Sequence, residues 1–247
     1  MMPPAPDPRL GSHCRPLVLG AGIGHAAGAG GSLGGFVLLG DGKPALLATA
    51  FAISPPDAAP GDFIHQPGTL DQPTLTGASR VARLTRIVAA KPDRLETVDA
   101  AVAVLADGVG FLGNVIPSGF PNSGRALTAP IGTSQVTAGD PVAMIGRSSG
   151  LVGGGVAGVD ISMRMSVSTP RRKSLHYDFT GLLAVTRSDG PFSLAGDGGA
   201  LVWHATTGAA LGLLLGGDEG GVSFIVPLAP ILAALQVTWV DPSIIRN

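Results

Sequence analysis

The chain has 247 residues, 45% hydrophobic and 13% charged, which supplies a core and excludes a disordered polypeptide. Its net charge of −1 offers no field for gathering nucleic acid or anionic membrane, so neither is expected as a partner. The single cysteine, Cys14, rules out an internal disulfide and the disulfide-stapled secreted class; it fits a reducing, cytoplasmic setting and leaves secretion open.

Residues 1–16 are rich in proline and lack periodicity, and read as a flexible lead-in. Residues 17–40 contain no Asp, Glu, Lys or Arg, yet their many glycines break the run too often for a membrane span or a secretory signal. Strands are predicted at 35–39 and 45–53, with Asp41-Gly42 as the hairpin turn between them. Pro55, Pro56 and Pro60 make the next stretch a loop, which includes His65, and strands resume at 81–90 and 98–105. From 108 to 130 the chain collects Gly, Pro, Asn and Ser without alternation, the mark of a connection. Further strands are predicted at 141–145, 156–167, 179–186, 200–203, 209–215 and 222–226. The basic run Arg171-Arg172-Lys173 reads as a solvated loop. Only the end is helical: Leu228, Ile231, Leu232 and Leu235 form a stripe, with Pro227 and Pro230 in the opening turn. Many short strands and one helix point to an all-β sandwich or barrels.

Three segments carry the functional reading. Gly196-Asp197-Gly198-Gly199-Ala200-Leu201-Val202 is a glycine-rich turn entering an apolar strand. Thr97-Val98-Asp99-Ala100-Ala101-Val102-Ala103 places an acid at the head of another strand. Lys43 to Ile53 is an apolar segment following a hairpin. Taken singly, the first is an ordinary turn and Asp99 an ordinary turn or cap residue. Together, and in this order, they resemble the trypsin-like serine peptidases, whose nucleophile turn reads Gly-Asp-Ser-Gly-Ser-Leu-Val. Ile23-Gly24-His25, Gly31 to Val37, Gly146-Arg147-Ser148-Ser149-Gly150-Leu151 and Phe224-Ile225-Val226-Pro227-Leu228 resemble the bacterial members too, so the likeness covers about 17–237.

The resemblance implies two six-stranded antiparallel Greek-key β-barrels and a short C-terminal helix, with a first barrel at 17–115, a connection at 116–130 and a second barrel at 131–247. It also implies where the triad would stand. The nucleophile falls on Gly198, the aspartate on Asp99 and the histidine on Phe51. A phenylalanine cannot accept a proton and a glycine has no nucleophile, so both roles are missing. The backbone of Gly196 and Gly198 would remain as a remnant of the oxyanion hole, because main-chain N–H groups form it.

No other set replaces the triad. His13, His25, His65, His176 and His204 read as satisfied or solvent-exposed, Ser193 lies five positions from Gly198, and Cys14 is in the lead-in. The histidines lack metal-ligand spacing and no phosphate loop is present, so no metal and no cofactor are expected. The resulting expectation is a non-catalytic peptidase homologue that binds a peptide or protein through its cleft or its surface. A serine endopeptidase with a displaced catalytic set, or a structural module of a larger assembly, stand as alternatives.

Overall fold

The computed structural model describes residues 8–28, 30–72, 74–169 and 172–241. The chain runs through β1 (Gly22–His25), β2 (Gly30–Ser32), β3 (Gly35–Leu38), β4 (Pro44–Ala48), α1 (Ala50–Ile53), β5 (Phe63–His65), β6 (Arg80–Val88), β7 (Leu95–Glu96) and β8 (Ala100–Leu105). After the irregular 106–140 segment it continues through β9 (Pro141–Gly146), β10 (Gly150–Thr169), β11 (Arg172–Thr186), β12 (Leu201–His204), β13 (Ala210–Gly217) and β14 (Ser223–Pro227). It closes with α2 (Leu228–Leu235) and β15 (Thr238–Trp239).

The strands form two sheets, ordered β15-β3-β4-β8-β6-β5-β1-β2 and β10-β9-β12-β13-β14-β11-β7. The all-β, two-barrel expectation holds, with eight and seven strands in the described residues instead of six each. The additional pairings come from very short strands. β15 returns to β3, and β7 joins β11 as the one parallel strand pair among the described residues.

β4 and β8 read as continuous apolar runs because both faces are covered: Ala45 to Ala48 and Ala100 to Ala103 are all buried. α2 packs against β6, β8 and β13, burying Leu228, Ile231 and Leu235. Pro227 caps its start and Gln236 ends it in a left-handed conformation.

Three expectations need correction. The strand predicted over 45–53 stops at Ala48, and 50–53 turn into α1, where Asp99 accepts the Phe51 N–H and secures a helical turn that apolar patterning cannot reveal. His65 is not in a loop but in β5, where its Nδ1 lies 2.8 Å from the Ser79 hydroxyl. Residues 8–16 are also packed: Leu10 is buried and its carbonyl accepts the Gly22 N–H, while the Cys14 N–H donates to Gln66. The side chains of the 171–173 run lie outside the described residues.

The two sheets meet across β2, β3 and the 194–199 turn. The Ser32 N–H donates to the Gly198 carbonyl at 2.8 Å, and the Ser32 hydroxyl bonds the Gly196 carbonyl. This approach requires a missing side chain: a Cβ on Gly31 would overlap the Gly198 carbonyl oxygen and come within 2.8 Å of the Ala52 Cβ. Gly31→Ala is therefore expected to cost about 2 kcal/mol through overpacking against backbone. Urea denaturation of the variant tests this, and parental stability would contradict it.

Candidate functional site

The site begins with a buried carboxylate. Asp99 stands just before β8 and is 1% exposed. Its Oδ2 accepts the Phe51 N–H at 3.0 Å and its Oδ1 accepts the Ala90 N–H at 3.1 Å. It thereby fixes the start of α1, the turn that presents Phe51. Burial pushes the Asp99 carboxyl up to about 6, only partly offset by the N–H groups of Phe51, Ala90 and Ala50. No histidine among the described residues makes a hydrogen bond to it. The Phe51 ring meets the edge of Tyr177, the chain's single tyrosine, at 5.0 Å and 85°. Tyr177 arrives on the long β10–β11 hairpin, paired with Met165.

A carboxyl group with a raised folded pKa binds its proton more tightly in the folded than in the unfolded state. Stability from this group is greatest at low pH and declines as pH rises from about 4 to about 6, by about 3 kcal/mol at most. Denaturation of the parent and of Asp99→Asn at pH 4 and pH 7 should show the parent losing ground to the variant over that window. Parallel pH profiles would contradict the buried, uncompensated charge.

The second component is the 194–199 turn. Asp197 is fully buried and held by neutral donors: its Oδ1 accepts from the Ser148 N–H (2.7 Å) and the Ser149 N–H (3.1 Å). Its Oδ2 accepts from the Leu194 N–H (2.8 Å) and the Ser149 hydroxyl. With these partners it needs no cation to hold the turn. Gly196 has φ +99°, a conformation that disfavours any side chain, and a Cβ there would press on the Ser148 hydroxyl and the Arg147 guanidinium. Gly198 is different. A Cβ at Gly198 would meet only the Leu215 carbonyl oxygen, at 3.8 Å.

Beneath the turn, Arg147 is 1% exposed and forms an ion pair with Asp71, 2.6 Å from Nη2 to Oδ1, with Nε donating to the same oxygen at 2.8 Å. Nη1 donates to Ser148 and Nη2 to the Leu70 carbonyl. A loop of the first sheet is thus joined to the turn of the second.

Between the sheets lies an open cavity of about 370 Å³. Phe51 and Ala52 border it on one side, Gly196 and Gly198 on another, and the 214–218 segment with Ser193 forms the wall. Phe51, Gly196 and Gly198 line one cavity, and the Asp99 carboxylate accepts the Phe51 N–H. The N–H groups of Gly196 and Gly198 have no hydrogen-bond partner among the described residues. The Thr49 hydroxyl, buried at the head of α1, has none either.

Sequence reasoning missed the 214–218 wall and Asp218, Tyr177 and the Asp71–Arg147 pair. A lone tyrosine in a chain with so few aromatic residues was a usable signal; the pairing of Asp71 with Arg147 had none, since 76 residues separate them. Three other histidines are engaged away from the cavity. His25 meets Asp62 at 3.2 Å, His176 meets Ser166 at 2.9 Å, and His204 accepts the Thr206 N–H. The Ser193 hydroxyl pairs with that of Ser223 at 2.8 Å. No group of three or more potential metal ligands occurs among the described residues, and no described helix is long and apolar enough to cross a membrane.

No protein-family model and no curated protein matches the sequence. Solved structures do. The chain is similar to the Nocardiopsis protease, with TM-score 0.61 at 16% identity over 90% of this chain and 97% of that one. It is similar to the chymotrypsin of Cellulomonas bogoriensis, with TM-score 0.60 at 17% identity over 91% and 98%. Protease A of Thermobifida fusca gives 0.60 at 14% identity over 91% and 98%. The fold is that of the bacterial trypsin-like serine proteases.

Proposed function

We propose that this chain is a non-catalytic homologue of the trypsin-like peptidases that binds a peptide or protein segment in the cleft between its two barrels, at 17–115 and 131–247. The observation that carries the reading is the cavity bordered by both Phe51 and Gly198. A hydrolytic site needs a proton acceptor and a nucleophile within hydrogen-bond reach. At these two positions stand a hydrocarbon ring, packed on Tyr177, and a residue without a side chain. What persists is suited to binding: two free N–H donors, an apolar side at Phe51 and Ala52, and a polar wall with Ser193 and Asp218.

The geometry offers no specific support for a displaced catalytic set, because Ser193 is paired with another serine and the engaged histidines face other partners. Two measurements test the reading. The folded protein is expected not to react with a fluorophosphonate probe; labelling would restore the peptidase alternative. Peptide binding, followed by isothermal titration, is expected to be abolished by Gly198→Trp, which fills the cavity. Binding unchanged in that variant would move the partner from the cleft to the surface.

A further inference from the structure

We propose that the cleft captures the free C-terminus of its partner, with the terminal carboxylate at Gly196 and Gly198. This rests on the reading of the cleft as a non-catalytic peptide site and specifies which part of a peptide it takes. The first observation is the pair of N–H donors on Gly196 and Gly198, both bordering the cavity and both without a partner among the described residues. Unpaired main-chain N–H groups at a cavity favour an oxygen acceptor, and a charged oxygen over a neutral one.

The second observation is room. A peptide carbonyl brings one oxygen to the two donors, whereas a carboxylate brings a second that must be housed beside it. At Gly198 the position of a β-carbon has no neighbour closer than the Leu215 carbonyl, 3.8 Å away, so the space a hydroxymethyl group would fill is open.

The third observation is the charge of the rest of the lining, to which Gly30 of β2 also belongs. The one carboxylate bordering the cavity, Asp218, belongs to the 214–218 wall, and its Oδ1 accepts the Val222 N–H at 2.9 Å. With Ser193 it favours a last side chain that is basic or small and polar.

The test uses N-acetylated alanine tetrapeptides ending in Lys, Ser or Leu. Each is prepared as the free acid, as the C-terminal amide, and extended by two alanines with an amidated end, and binding to the full chain is measured by isothermal titration. Free acids are expected to bind at least tenfold tighter than the matching amides and extended peptides, with Lys and Ser ahead of Leu. Gly198→Ala, whose added methyl makes only an ordinary contact with the Leu215 carbonyl, should reduce the acid-to-amide ratio severalfold. Equal affinity for acid and amide, or tighter binding of the extended peptides, would overturn the terminal-carboxylate proposal while leaving the peptide cleft intact. Cleavage of the extended peptides would instead overturn the non-catalytic reading. Absence of binding by every peptide would overturn the proposal and count against the cleft itself.

Discussion

Asp71→Ala is expected to destabilise the protein by about 3–5 kcal/mol, because it leaves the Arg147 guanidinium buried without its countercharge. Both side chains are almost entirely out of water, at 2% exposed for Arg147 and 1% for Asp71, so solvent screening cannot soften the loss. The change should also disturb the 194–199 turn, since Arg147 contacts Ser148 and the space around Gly196. Replacing both partners by apolar residues of similar volume, Asp71→Leu with Arg147→Met, should recover much of the lost stability. Urea denaturation of the parent and the two variants checks the scheme. A single-variant cost below about 1 kcal/mol would show that the pair contributes no more than a surface ion pair does.

The second large effect is a gain of activity. Phe51→His combined with Gly198→Ser is expected to label with a fluorophosphonate and to hydrolyse an activated ester about 100-fold or more above the parent. Three features favour this. Asp99 already fixes the backbone of residue 51 through the N–H bond, the Gly198 position accepts a Cβ, and the N–H groups at 196 and 198 are free. An imidazolium at 51 would also relieve the cost of the buried Asp99 charge, drawing its carboxyl down from about 6. Neither single variant should gain much, since base and nucleophile act as a unit. A folded double variant that neither labels nor turns over would mean that the position of the Phe51 ring, edge-on to Tyr177, is not one an imidazole can use.

The readable part of the fold was what depends on local pattern. The Asp41-Gly42 turn falls between β3 and β4, with Gly42 at φ +79°, and the 228–235 stripe is α2. The short elements were hidden. α1 is four residues within an apolar run, and its turn is secured by Asp99, 48 residues away. β7 and β15 are two residues each, and their pairing is set by the packing of distant segments. At the candidate site, the order of three motifs pointed to Phe51, Asp99, Gly196 and Gly198, and the structure sets Phe51, Gly196 and Gly198 around one cavity. The 214–218 wall comes from a segment whose residues look like any others until the barrels meet.

β15 carries a consequence for the making of the protein. Trp239 pairs with Val37, packs on Gly35 and donates its indole N–H to the Leu127 carbonyl, while Asn114 bonds both Phe36 and Val240. The first sheet therefore waits for a strand about two hundred residues downstream. During synthesis its apolar edge at β3 stays uncovered until residues 238–239 have been made. The nascent chain is then an aggregation risk, and contacts of such long sequence separation place folding at the slow end for its size. A truncation before Thr238 would make that vulnerable interval permanent.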